Sequence, residues 1–290
     1  MTQEKKSYYG AFFWIALISF IVPIVVAVKA FDVVTPATKP TPAPDVSGVD
    51  HALWDYLLKA YVENGLIDYD AMARDHLFPT YLQQLGAAQP DKLASDDERL
   101  ALLCNAYNAF VINGVVTHKI TTSVMDYTHN EKGFFDIPEH IFAGETMSLN
   151  NLEHKIIRKT YDEPRVHVAL VCAAVSCPAI RPEAFIGDRI DQQLTDQAKL
   201  FANDPKYVAY TDTIQLSPIL NWYGEDWDNH GGTRAWLAER VQDDTLKQAL
   251  LNDDIKVTYS TYDWTLNTQG PRASGNAPKA DFGSGSIPNE

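Results

Sequence analysis

The chain has 290 residues, 46% hydrophobic, 21% charged and 11% aromatic, enough apolar material for a sizeable core in one large domain or two small ones. Its formal net charge of -14, with no local run of Lys or Arg to offset it, excludes a nucleic-acid-binding surface, which needs a basic face.

The N-terminal stretch Ala11 to Val28 is uncharged and apolar for 18 residues, long enough to span a bilayer. Pro23 is tolerated inside a membrane helix. Lys5 and Lys6 precede the run, so the positive-inside rule leaves the first residues in the cytoplasm and exports the rest. The competing interpretation is a cleaved signal peptide with Val28-Lys29-Ala30 as a poor cleavage site; the length of the apolar run favours a retained anchor over residues 1–30. A linker rich in Pro and small residues follows over 31–48. Its Thr35 to Gly48 part is expected as an extended tether reaching roughly 40 Å at about 3.1 Å per residue. From Thr268 to the end, apolar periodicity is lost and a disordered tail is expected. The globule is therefore expected over residues 49–267.

Within it, Asp50 caps a helix whose inner side is Leu53, Trp54, Leu57, Leu58 and Tyr61. A second helical stretch is expected around Leu77 to Leu85. Ser95 and Glu98 form a capping box opening a helix over 95–118. Its stripe, Leu100, Leu103, Cys104, Tyr107, Phe110, Val111 and Val115, recurs at helical spacing, and the opposite face is hardly polar. A helix apolar nearly all round is buried on both sides, and Asn105 and Asn108 are buried with it. HIFAGETMS predicts a hairpin turning at Gly144-Glu145. Ser148 opens a helix through about Thr160, and VHVALVC (Val166 to Cys172) predicts a buried strand. Helices follow at about Asp188 to Ala202, from Ser217-Pro218, from Thr233 and from Asp244. KYVAYTDTIQLS predicts another hairpin, and DIKVTYSTYDW a last strand. Helices outnumber strands and the strands cluster in hairpins, which makes the fold class α+β: one helix-rich domain with a small antiparallel sheet.

Walker, dinucleotide-glycine, His-Glu-x-x-His and Gly-x-Ser-x-Gly signatures are absent from the sequence. Asp226-x-Asp228-x-His230-Gly231 has a faint calcium-loop outline, but Leu237 stands where that loop needs its bidentate glutamate, so a polar turn is expected. Glu153 lies within the apolar stripe Leu149, Leu152, Ile156 and Ile157. A carboxylate there must be paired, hydrogen-bonded or protonated. It is either ion-paired with Arg158, Arg165 or Arg181, or an orienting or acid/base group; His154 lies at the edge of the same stripe. Asn105 and Asn108 either clamp a neighbouring backbone or line a polar pocket. Cys172 and Cys177 leave several chemistries open. A disulfide suits an exported protein. Inert thiols need no partner, and two lone ligands make a weak metal case. A nucleophile at Cys177 requires a base such as His167 or His154, oriented by a carboxylate such as Glu153.

Taken together, YVENGLIDYDAM (61–72), LLCNAYNAFVI (102–112), LNNLEHKIIR (149–158), RVHVALVCAAVSCPAIRPEAF (165–185), LSPILNWYGEDW (216–227) and YDWTLN (262–267) resemble the family known as domain of unknown function 547. The resemblance implies one domain with Asn105, Tyr107, Asn108, Glu153, His154, His167, Cys172, Cys177 and Arg181 on motif positions. It places Cys104 outside the motif, and in outline it is similar to papain- or transglutaminase-like folds. The resemblance supplies no activity; from the residues the expectation is a membrane-anchored extracytoplasmic protein, with a cysteine-type hydrolase or acyl-transfer activity on an envelope peptide or amide. Cys177, His167, His154 and Glu153 would be catalytic and Asn105, Asn108 and Arg181 would bind substrate, with no cofactor and no metal. The alternative is a non-catalytic module that binds a ligand or partner. The sharpest expectation is that Glu153, His154, His167 and Cys177 converge on one pocket roofed by Asn105 and Asn108.

Overall fold

The computed structural model describes residues 39–41 and 43–270. The expected anchor over 1–30, and all but the first three residues of the tail expected from Thr268, lie outside the described residues. Helix α1 (His51–Tyr61) starts where the Asp50 carboxylate accepts the Ala52 N–H at 2.9 Å, and it buries Leu53, Trp54, Leu57 and Leu58. The chain just before it is docked rather than extended. Asp50 also accepts the Ala43 N–H at 2.6 Å, and the Ser47 carbonyl accepts the Gln89 N–H at 2.9 Å.

A two-stranded hairpin, β1 (Val62–Glu63) and β2 (Leu66–Ile67), leads to α2 (Tyr69–Arg74) and α3 (Leu77–Gly86). Helix α4 (Asp96–Thr117) follows, with its capping box formed as the sequence predicts: Ser95 takes the Glu98 N–H and the Glu98 side chain takes the Ser95 N–H. Every residue from Leu100 to Ile112 is buried. Among the described residues this is the one helix long and apolar enough to cross a membrane, and its burial against α2, α3 and α6 makes it the core of the domain.

Two further hairpins follow, β3 (Thr128–His129) with β4 (Lys132–Gly133) and β5 (His140–Phe142) with β6 (Glu145–Met147); the second turns at Ala143-Gly144, one residue earlier than expected. The next helical segment is wound in part as a π-helix, Asn151–Ile157, before α5 (Arg158–Thr160). Helix α6 (Ile190–Asn203), hairpin strands β7 (Val208–Tyr210) and β8 (Ile214–Leu216), and helices α7 (Ile219–Trp222), α8 (Gly224–Asp228), α9 (Gly232–Ala238) and α10 (Asp244–Leu250) complete the helical part. Strand β9 (Val257–Tyr259) pairs with β8 in parallel, so this three-stranded sheet is mixed where an antiparallel one was expected. The ordered chain continues past 267: the Gln269 N–H bonds the Ile67 carbonyl at 3.0 Å.

The expected strand over Val166 to Cys172 is not a strand. Pro164–Val168 is a 3-10 helix, with Glu163 capping the Arg165 N–H and Pro164 in its first turn. The physical reason lies in its surroundings. Val166, Ala169 and Leu170 pack into the large core around α1–α4, while Val168 packs into a second core with Phe201, Trp227 and Trp236. A segment buried on all sides is uniformly apolar, and periodicity does not separate a strand from a helical turn in such a run.

Candidate functional site

Asn108 sets the position of the next stretch of chain. Its amide donates to the Ala169 carbonyl at 3.1 Å and accepts the Val171 N–H at 2.9 Å, taking the place of a strand neighbour. Asn105 does the same for Phe185, whose N–H it accepts at 2.9 Å and whose carbonyl it meets at 2.8 Å. That pin draws Gly187 against α4 so closely that a Cβ there would stand 2.9 Å from the Glu98 Cα. Both asparagines therefore clamp backbone, and the Asn105 amide nitrogen also meets His51 Nδ1 at 3.2 Å. They hold the site from behind, the backbone clamp that was one of the two roles expected of them, and they are not among the residues lining the inner cavity.

The π-helical turn directs Leu152, Glu153 and Ile157 inward, and Glu153 is 5% exposed. The expected ion pair with an arginine is not made. Arg158 pairs with Asp226, Arg165 with Glu163 and Asp191, and Arg181 with Glu183. The Glu153 carboxylate instead faces the hydroxyls of Tyr107 and Tyr223; burial first, and then this negative charge, hold both phenols well above their usual pKa. Glu153 Oε1 is also 3.9 Å from His167 Nδ1, a buried nitrogen with no hydrogen-bond partner.

His167 is oriented by a different carboxylate. Its Nε2 meets Asp226 Oδ2 at 2.6 Å, and its ring stacks on Tyr223 at 3.7 Å and 18° and lies T-shaped to Trp227 at 5.8 Å. Arg158 grips Asp226 with a bidentate fork, Nε and Nη2 each at 2.7 Å. Burial works against the Asp226 charge, but the bonds from His167 and Arg158 outweigh it and hold the carboxyl well below the usual range. His154 lies on the outer side of Tyr223, with its Nδ1 3.1 Å from Arg158 Nη1. Burial, opposed by Glu153 and aided by the Arg158 charge, lowers its pKa.

All three cysteines are free thiols, so the expected disulfide alternative is not realised here. Cys177 Sγ accepts the Cys172 N–H at 2.9 Å, and Cys172 Sγ lies 3.0 Å from Tyr262 Oη. Burial opposes ionisation of Cys177, yet hydrogen bonds from the Cys172 side chain and N–H and from Tyr262, with the Lys206 charge, hold its pKa below that of an ordinary thiol. Cys172 is driven the other way, first by burial and then by bonding to Cys177. Cys177 is thus the more acidic thiol of the pair and Cys172 the less acidic. Cys104, fully buried on α4, is pushed far up by burial and takes no part.

Tyr107, Glu153, His167, Cys172, Cys177 and Tyr262 enclose a cavity of about 40 Å³. The structure therefore brings together Glu153, His167 and Cys177 as expected. It leaves His154 in a separate outer cleft of about 1240 Å³, lined also by Lys155, Arg158 and Trp222, and Arg181 in another cleft of about 1240 Å³ beyond Pro178. Trp222 borders both the inner cavity and the outer cleft. Among the described residues no group of three or more His, Cys, Asp or Glu side chains is arranged to hold a metal ion.

Asp226, Tyr223 and Tyr262 are the site residues that sequence reasoning missed. A signal was present in NWYGEDW: Tyr223 and Asp226, three apart on adjoining helical turns, both reach the His167 ring, one over its face and one at its edge.

Residues 90–202 match the model of a family described as "Protein of unknown function, DUF547". That span holds Tyr107, Glu153, His167 and both cavity cysteines, while Tyr223, Asp226 and Tyr262 come from beyond it. No curated protein and no solved structure matches the chain.

Proposed function

The chain carries a DUF547 domain, a family whose description states no activity, and from the chemistry of its inner cavity we propose that it is a cysteine-type acyl-transfer enzyme or hydrolase acting on a peptide or amide. The observation that carries this reading is the placement of Cys177, a thiol of lowered pKa, on the same small cavity as a histidine held by a carboxylate. In the proposed reaction Cys177 Sγ attacks the carbonyl carbon and the C=O electron pair moves to oxygen. The nearby tyrosine hydroxyls donate to that oxygen. His167 passes a proton to the leaving amine, the C–N bond breaks, and a thioester remains on Cys177. Water, or an acceptor amine, then attacks the thioester and gives its proton to His167, releasing the thiolate. Asp226 fixes the ring, and Glu153, 3.9 Å from Nδ1, stabilises the positive charge the ring carries before it protonates the leaving amine and again once the attacking water has given up its proton.

The cavity holds little more than a water molecule, so a substrate reaches the sulfur from the outer cleft by displacing Trp222, the side chain common to both spaces. That same small volume is the observation favouring the alternative, a non-catalytic ligand- or partner-binding module. A further part of the proposal rests on sequence: Ala11 to Val28 anchors the chain in a membrane, and Lys5 and Lys6 keep the N-terminus cytoplasmic, so that the domain faces an extracytoplasmic envelope. The papain- or transglutaminase-like outline belongs to the proposal too. It is supported by the buried helix behind the site, although His167 sits on a 3-10 turn instead of a strand.

The test is covalent trapping. Incubation with a series of p-nitrophenyl esters and acyl anilides, followed by peptide mass mapping, is expected to find an acyl group on Cys177. Label should be absent in Cys177→Ala and accumulate faster than it is released in His167→Asn. An intact Cys177→Ala protein that turns over the same substrates as fast as the wild type would leave only the binding module.

A further inference from the structure

We propose that Cys172 and Cys177 form a peroxide-reactive dithiol, in which Cys177 meets a small hydroperoxide in the inner cavity and Cys172 resolves the product to an intramolecular disulfide. This goes beyond the acyl-transfer reading and holds independently of it.

Four observations carry it. The two residues are already bonded: Cys172 donates its backbone N–H to Cys177 Sγ at 2.9 Å. The loop between them is pinned, with Val175 N–H on the Thr265 carbonyl at 2.7 Å and Ser176 N–H on the Asp263 carbonyl at 3.1 Å, so the backbone that carries both cysteines is held in place. The Tyr262 hydroxyl, 3.0 Å from Cys172 Sγ, stands ready to exchange a proton there. The space beside them is about 40 Å³, room enough for hydrogen peroxide without any side chain moving. The lowered pKa of Cys177 and the raised one of Cys172 assign attack to the first and resolution to the second.

Cys177 thiolate attacks one peroxide oxygen and the O–O bond breaks. Hydroxide leaves, takes up the proton that Cys177 released, and becomes water, and the cysteine is now a sulfenic acid. Cys172 sulfur then attacks Cys177 sulfur and the S–O bond breaks, with the departing hydroxide carrying off the Cys172 proton as a second water. Two thiols lose two electrons and one hydrogen peroxide is reduced to two waters. The oxidised form has no free thiolate, so any acyl transfer by Cys177 would stop until a reductant restores it.

The experiment treats reduced full-length protein with one equivalent of hydrogen peroxide, then denatures, alkylates and maps the peptides. Cys172 and Cys177 are expected to lose alkylation together and regain it with dithiothreitol, at a rate roughly tenfold or more above that of Cys104. In Cys172→Ser a dimedone adduct should collect on Cys177; in Cys177→Ser, Cys172 should stay unreacted over the same interval. The wild-type result decides alone if either variant fails to fold. Full alkylation of both cysteines after peroxide, oxidation of Cys104 at the same rate, or single oxidation of Cys172 would each overturn the proposal.

Discussion

Replacing Asp226 with Asn isolates the contribution of the carboxylate that holds His167. Asp226 accepts three bonds, from Arg158 Nε and Nη2 at 2.7 Å and from His167 Nε2 at 2.6 Å. Asn keeps the volume but turns one oxygen into an NH2, which must then face a donor, either the guanidinium or the imidazole N–H. At least one bond to a charged group is lost, at about 1.5–3 kcal/mol, and the others weaken. The Asp226 and Arg158 side chains are 26% and 22% exposed, so water moderates the loss. A net cost of about 2–3 kcal/mol is expected, or a Tm lower by roughly 4–12 °C for a domain of this size. The pH dependence has a definite sign. The folded pKa of Asp226 is depressed, so its contribution is complete above the unfolded carboxylate value of about 3.9 and is lost as pH falls through the lower folded value. Urea unfolding of wild type and Asp226→Asn, followed by tryptophan fluorescence from pH 7 down to 3, measures both. A difference under about 0.5 kcal/mol at pH 7, or one that stays constant to pH 3, would refute the reasoning, since it would mean the bonds to charged groups contribute little.

Asn105→Ala leaves the Phe185 N–H and carbonyl without partners in a buried place and should cost about 2–4 kcal/mol by denaturant titration; a loss below ~1 kcal/mol would show that the backbone pin is dispensable. His140 is buried against Phe110, its ring nitrogens have no partner, and burial brings its pKa down to about 4. Its folded pKa lies below the unfolded 6.5, so its share of stability is full above pH 6.5 and falls by about 3 kcal/mol on the way to pH 4. His140→Phe should flatten the stability profile in that window, and an unchanged slope would contradict the assignment. Phe110→Ala on the doubly buried α4 should cost about 3–5 kcal/mol, and a loss under ~1 kcal/mol would place Phe110 outside the core. Tyr262→Phe removes a donor to the cavity sulfurs and should raise the alkylation midpoint of Cys177, measured by the pH dependence of iodoacetamide labelling; no rise would remove Tyr262 from the account.

Helix α4 was legible because three signals agreed: a capping box, a helical stripe and an opposite face without charge. Glu153 was legible as an inward carboxylate because its own stripe left no other place for it, but its partners were not, since two tyrosines answered where arginines were expected. Asn105 and Asn108 were readable as buried. Periodicity says nothing of whether a buried amide meets a backbone or a cavity, and here both meet backbone. The segment Val166 to Cys172 misled because burial between two cores removes the alternation that marks a strand. Asp226 lay hidden for a topological reason: its partners His167 and Arg158 are 59 and 68 residues away, and only the fold brings α8 beside the 3-10 turn.

The central claim is that Cys177, which lines the same inner cavity as the Asp226-held His167, acts as a thiolate nucleophile. The direct measurement is the rate of iodoacetamide alkylation at Cys177 against pH, read by peptide mass mapping with Cys104 as the internal reference. The account predicts a labelling midpoint below the ordinary thiol value of about 8.5, with Cys177 reacting ahead of Cys104 at neutral pH. A midpoint at or above the ordinary value, with Cys177 no faster than Cys104, would contradict it.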